Sequence, residues 1–221
     1  MTRPSLLLLV LAALLPVRAD EEPPPFFPLE IGLTWSYGLE ITRQGESQGI
    51  QYSARVTRRE EVSGLPCAVV ESRSGERLLE ATWWAWEGKK LVHPRRQSGR
   101  GAVQELRRAG ADGPRVLVDL AALDDPEAPR RWEWQAADGS ARGVIELVGR
   151  ERLTLPNLGE LDCVLLVERS ELRAGERKAT QERKIWLAAG LGLVQERSKI
   201  AVEGGETTET VAVLERPPER S

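Results

Sequence analysis

The chain is poor in the residues that most site chemistry depends on: among 221 residues it has one histidine, two cysteines, one methionine, two phenylalanines and two tyrosines. A nucleophilic Ser, Cys or Thr needs a base beside it, and that base is usually His. The lone His93 precedes Pro94, which steers it toward extended backbone, and it reads as a surface residue at a strand end. No Gly-x-Ser-x-Gly elbow accompanies it. One His and two distant Cys make a poor zinc or copper site. Asp119, Asp124, Asp125 and Glu127 lack the spacing of a calcium loop and read as a solvated acidic loop. No glycine-rich phosphate loop precedes a helix. No cofactor and no metal site are therefore expected. A carboxylate-dependent hydrolase stays as the lesser alternative, because the separation of two carboxylates belongs to the fold.

Neither sign of charge dominates. The 31 basic and 34 acidic residues give a net charge of −3, and they interleave, as in Arg55-Val56-Thr57-Arg58-Arg59-Glu60-Glu61. Solvated strand faces explain that mixture, and no nucleic-acid partner is expected. Long apolar runs are confined to Leu6 through Leu15. Preceded by Arg3 and followed by Val17-Arg18-Ala19, that run predicts a cleavable signal peptide over residues 1–19, with the mature chain beginning at Asp20. It is shorter than the roughly 20 residues a bilayer crossing needs, and Pro16 ends it. The expected location is periplasmic or extracellular, with no transmembrane segment in the mature chain.

Residues 20–28, with Pro23, Pro24, Pro25 and Pro28, read as a stiff solvated lead-in. From Leu29 onward, short runs of alternating apolar and charged residues close at turn signals such as Ser63-Gly64, Gly75-Glu76, Gly88-Lys89, Asp138-Gly139, Gly175-Glu176 and Gly204-Gly205. This predicts an all-β, antiparallel protein with little helix. Ala102 to Ala109 fits a helical or a strand period equally.

The strongest signal is internal repetition. Trp35-Ser36-Tyr37 is matched by Trp132-Glu133-Trp134, each placing two aromatics on one strand face. Gly64-Leu65-Pro66-Cys67-Ala68-Val69-Val70-Glu71 is matched by Gly159 through Glu168, and Trp84-Ala85-Trp86 with Gly88 by Trp186 with Gly190. The predicted organisation is a first β repeat over 29–109, a connector over 110–131, a second β repeat over 132–215 and a tail over 216–221, forming curved sheets or half-barrels. Val69, Val164, Leu166, Leu187 and Val194 are the first core candidates.

Seven tryptophans stand against two phenylalanines and two tyrosines, so the indoles are expected to be the main large core fillers. The alternative is that Trp84, Trp86 and Trp186 line an apolar groove for a lipid, glycan or extended peptide. Cys67 and Cys163 occupy equivalent places in the two copies. In an exported chain they could form a disulfide, or stay free as small apolar residues inside strands that need no staple.

The opening Phe26-Phe27-Pro28-Leu29-Glu30-Ile31-Gly32-Leu33-Thr34-Trp35-Ser36-Tyr37, together with Thr154 through Val164 and Trp186 through Glu196, resembles an uncharacterised group of bacterial secreted proteins and lipoproteins, the TapB-like group. The resemblance implies a curved antiparallel sheet distantly similar to periplasmic lipoprotein carriers, and it transfers no catalytic residues. The chain departs from that pattern by lacking a lipid-attachment Cys and by repeating the Cys landmark in its first half. The function expected is a non-catalytic exported protein that binds an apolar ligand or an envelope partner on a curved sheet. The alternative is a structural or assembly component of the envelope, whose exposed strands could pair with a partner's edge.

Overall fold

A computed structural model describes residues 26–220, the side chain of Ala174 excepted. The expected signal peptide and most of the lead-in lie outside the described residues.

The first half supplies β1 (Leu33–Arg43), β2 (Glu46–Val62), β3 (Leu65–Ser74), β4 (Arg77–Glu87), β5 (Lys90–Ser98) and β6 (Val103–Arg108). A short β7 (Val116–Asp119) and a single 3₁₀ turn (Leu120–Leu123) follow. The second half supplies β8 (Arg131–Ala136), β9 (Ala141–Leu155), β10 (Gly159–Ala174), β11 (Arg177–Ala188), β12 (Gly192–Val202) and β13 (Thr207–Arg220). The ambiguous stretch near Ala102 is thus strand β6, fixed by pairing with both β5 and β8.

Alternating sequence makes strands, and the turns fix their register. Ser63 (φ 53°) and Gly64 (φ 81°) are both left-handed and join β2 to β3 with two residues, the mirror-image turn whose twist matches a hairpin. Gln44 and Gly45 do the same between β1 and β2.

The expected half-barrels are instead one closed barrel of twelve antiparallel strands. Successive strands pair, β6 bridges to β8, β13 closes onto β1, and β7 lies beside β5. Closure leaves no strand of the ring wholly unpaired, but strand ends that outrun a neighbour keep an open edge, as residues 46–52 of β2 do on the β3 side. The outer face carries cross-strand ion pairs, among them Arg142–Glu171 at 2.6 Å, Arg169–Glu182 at 3.1 Å and Lys199–Glu209 at 2.9 Å. That is the reverse of the apolar band a lipid-facing barrel presents. Among the described residues no helix is long and apolar enough to cross a membrane.

The five expected core residues, Val69, Val164, Leu166, Leu187 and Val194, are all buried. A barrel of about eight strands is just filled by its side chains, and a wider one needs bulky fillers or holds a cavity. Here Trp35, Trp134 and Arg115 are among the largest fully enclosed side chains. Residues 110–131 do more than link the halves. Val116, Leu117, Val118, Leu120 and Ala122 are buried, and Arg115 is pinned by its own N–H to the Leu106 carbonyl (3.1 Å) and by the His93 N–H to its carbonyl (2.8 Å). The end of the lead-in is likewise not solvated: Phe27 is buried, its ring 5.8 Å from that of Trp35 and 5.6 Å from that of Trp84.

Cys67 and Cys163 are both free and buried. They sit on β3 and β10, six steps apart in either direction around the ring, too far for the Cα separation of about 7 Å or less that a bridge needs. Each thiol donates to the carbonyl two residues back, Leu65 at 3.4 Å and Leu161 at 3.7 Å. Burial pushes both thiols up to about 11. Thiol titration at mildly alkaline pH is expected to find no reactive group in the folded protein and both in the unfolded, unreduced protein. A count of zero after unfolding would contradict this assignment.

Gly143 on β9 tests how tightly the barrel is packed. A Cβ there would stand 2.6 Å from the Arg169 carbonyl oxygen and 2.8 Å from the Ser170 Cβ, whereas one at Gly49 on β2 would meet nothing within 4 Å. Gly143→Ala is expected to cost about 1–3 kcal/mol by overpacking, with Gly49→Ala near neutral, as read from denaturant midpoints.

Candidate functional site

The interior holds a cavity of about 270 Å³ whose lining includes an aromatic group and a charged group, joined where His93 stacks on Trp84 and meets Arg115. The aromatic group begins on β1, where the two-residue period puts Trp35 and Tyr37 on one face. Both reach across to the start of β12: the Trp35 indole N–H donates to the Leu191 carbonyl at 2.7 Å, and the Tyr37 hydroxyl to that of Leu193 at 2.9 Å. Tyr37 stacks on Tyr52 with centroids 5.0 Å apart. Trp84 of β4 completes the group, with Phe27 on one side and the His93 ring stacked at 4.2 Å.

The charged group is an alternating chain. Arg115 donates to Glu168 at 2.6 Å, Arg183 donates to the other oxygen of Glu168 at 3.0 Å, and Arg183 also grips Glu196 through two nitrogens at 2.6 and 3.0 Å. The Arg115 guanidinium lies 4.5 Å over the Trp134 ring. Glu168 and Arg115 are 2% and 1% exposed, so both charges depend on each other and on these hydrogen bonds. For Glu168, burial is the largest single influence and opposes ionisation. The arginines Arg115, Arg183 and Arg96 outweigh it together and hold the carboxyl below its usual value. Burial lowers Arg115 to about 10, with Glu168 opposing. Arg183 also loses solvation, yet Glu196 and Glu168 raise it above the ordinary arginine value.

His93, expected at the surface, is 4% exposed in the middle of β5. The register slips where Trp83 faces Arg95 and Ala85 faces Val92. This bulge accommodates Pro94, which has no N–H to give to the ladder. Burial first, then the positive charges of Arg115, Arg96 and Arg183, drive the His93 pKa well below its ordinary value, with only the Arg95 backbone opposing. The ring is neutral at physiological pH. Arg115 Nη1 lies 3.1 Å from Nδ1, and since arginine only donates, Nδ1 accepts and the ring proton sits on Nε2. Nε2 has no hydrogen-bond partner, and neither has Arg115 Nε.

Of the three tryptophans expected to share a groove, Trp84 lines the cavity. Trp86 lies beside it on β4 and donates its indole N–H to the Phe27 carbonyl at 3.0 Å, tying down the segment that covers Trp35 and Trp84. Trp186 faces the other way. On β11 it is Arg183, Ile185 and Leu187 that line the cavity, and the intervening Trp186 donates to Glu151 at 2.9 Å with the Arg197 guanidinium 5.8 Å over its ring. The interior charges were not anticipated from the sequence. Their signal is a charged residue in period-two register with an apolar face: Glu168 after Val164 and Leu166, Arg183 before Ile185 and Leu187, Glu80 before Thr82 and Trp84.

No protein-family model matches the chain, and no curated protein matches it. Solved structures do. A protein from Bacteroides fragilis, described as exported and as having a YmcC-like fold, is 14% identical with a TM-score of 0.53, over 89% of this chain and all of that one. A protein from Parabacteroides distasonis, described as a lipoprotein by inference, is 14% identical with a TM-score of 0.44, over 89% and 99%. The hypothetical lipoprotein YmcC from Escherichia coli is 11% identical with a TM-score of 0.33, over 86% and 92%. At such identities the first of these establishes a shared fold alone.

Proposed function

We propose that this is an exported, non-catalytic binding protein that holds one small amphipathic molecule inside its barrel. The observation that carries the reading is an interior left open between aromatic side chains and a buried ionic chain. Protein interiors close-pack and satisfy their polar groups. The retained void is lined about equally by aromatic or apolar side chains and by polar or charged ones, which suits a small molecule that is itself amphipathic. The chemistry of the site favours holding over reacting: Glu168 is neutralised by two arginines, and a histidine kept neutral by its surroundings is a poor proton shuttle near neutral pH. The expected signal peptide and the exported or lipoprotein descriptions of the structural neighbours support a place in the cell envelope.

The two six-strand halves are best read as copies of one unit. The landmark pairs fall on β1 and β8, β3 and β10, and β4 and β11, each pair diametrically opposed in the ring. Two bulges repeat as well. Thr57 of β2 is the extra residue opposite Val69 and Val70, two and three positions after Cys67. Val148 of β9 is the extra residue opposite Leu165 and Leu166, two and three positions after Cys163. An extra residue likewise falls on β5 opposite Trp84, and on β12 beside Trp186.

The binding reading is tested by titrating the intrinsic tryptophan emission of the mature chain with small amphipathic molecules, in parallel with Trp84→Ala. A saturable one-site change that the variant loses is expected. A response that never saturates, or that is the same in both proteins, would overturn the reading.

A further inference from the structure

We infer that the molecule held in this cavity is zwitterionic, with a negative and a positive group together on a small apolar body, as in an α-amino acid with an aromatic or branched side chain. The inference rests on the binding reading above and concerns only the head of the ligand. Arg115, Glu168, Arg183 and Glu196 neutralise one another in a continuous chain. Two charged groups on the cavity wall are left over, Arg96 of β5 and Glu80 of β4. Among the described residues neither forms an ion pair. Arg96 spends only its Nε, on the Gln104 side-chain oxygen at 2.7 Å, which leaves the forked end of the guanidinium free for a carboxylate. Glu80 is held above the ordinary glutamate value, by burial before any other cause.

The two stand together because Thr82, two residues after Glu80 on the same face, is the ladder partner of Arg96. Glu80 and Arg96 are each partly exposed and moderate one another's charge, yet each stays without a direct ion-pair partner, which leaves a cost of partial desolvation on both. One ligand carrying both complements removes both costs. A singly charged ligand satisfies one group and leaves the other. The apolar part of the lining sets the body: Phe27, Trp35 and Trp84 form an aromatic cluster, and Leu117, Ile185 and Leu187 also line the cavity. A volume of about 270 Å³ lies just under the roughly 300–1,000 Å³ of sites for drug-sized ligands, so the body is small.

The test is calorimetric titration of the mature full-length chain with four probes that share a phenyl body. These are L-phenylalanine (both charges), 3-phenylpropionate (negative), phenethylamine (positive) and 3-phenylpropan-1-ol (uncharged). L-phenylalanine is expected to bind at least about tenfold tighter than the other three, since each satisfied charge is a charge-assisted contact. Glu80→Gln should bring L-phenylalanine and 3-phenylpropionate to equal affinity, and Arg96→Gln should do the same for L-phenylalanine and phenethylamine. Glu80→Gln should also raise the denaturant midpoint at neutral pH, because it removes a carboxylate that burial disfavours, so lost affinity cannot be assigned to a damaged fold. If 3-phenylpropan-1-ol binds as tightly as L-phenylalanine, or the order of affinities survives both substitutions, the zwitterion is wrong while the cavity still binds. If none of the four binds, the zwitterion falls together with the binding reading.

Discussion

Glu168→Ala is expected to be the most damaging single substitution, lowering stability by about 3–5 kcal/mol, because it strands Arg115 in the interior without its carboxylate. The comparison is Glu182→Ala, which breaks the exposed pair with Arg169 and should cost at most about 1 kcal/mol. If a buried uncompensated charge is the cause, removing the other partner should restore stability. Arg115→Met combined with Glu168→Met leaves Arg183 paired with Glu196 and should recover most of the loss. Equal damage in the single and double variants would assign the loss to packing instead.

The same network sets the response to acid. Glu168 has a folded pKa below its unfolded value, so its contribution is complete above the unfolded value and is lost as pH falls through the folded one. His93 is also depressed. The unfolded chain takes up that proton near the ordinary histidine pKa of about 6.5 while the folded chain does not, so stability starts to fall there. Glu80 has the opposite sign: its folded pKa is raised, and it opposes folding at neutral pH and ceases to do so as it protonates. Two declining phases are therefore expected on acidification, the upper one absent in His93→Gln and the lower one, to which Asp138 also contributes through its hydrogen bonds from Ser140, reduced in the Arg115→Met, Glu168→Met double variant. Denaturation midpoints across the acid range separate them.

Phe27→Ala is expected to cost about 3 kcal/mol as a large-to-small change at a buried aromatic, and to open the cavity. Phe27 sits between Trp35 and Trp84 and is tied in place by Trp86. A Cβ on Gly192 would come within 3.0 Å of its ring, so the ring fits closely over the start of β12. Acrylamide quenching of the tryptophan emission should rise in the variant while the strand signal of the far-ultraviolet spectrum persists. Unchanged quenching would mean that Phe27 does not close the cavity.

Strands were legible because alternation and turn residues are local. Ser63-Gly64, with both residues left-handed, closes the β2–β3 hairpin in two residues. Closure was not legible, since a half-barrel and a full barrel share every local pattern. What decides is the pairing of β13 with β1 and of β6 with β8, contacts between residues far apart in the chain. The burial of His93 was hidden for a related reason: Pro94 marks a strand end by local rules, but a bulge and the connector residue Arg115 let the strand continue. Interior charge was the largest omission. Glu168 and Arg183 look like ordinary solvated strand residues until their register with Leu166 and Ile185 is followed, and the arginine-rich outer face supplies many similar residues that do point to water.

The most direct measurement is diffraction from crystals of the protein soaked with L-phenylalanine. Density for the amino acid is expected inside the barrel, its ring against Trp84, its carboxylate at Arg96 and its ammonium at Glu80. An interior filled only by the protein's own side chains, or the amino acid bound solely on the outer surface, would contradict the account.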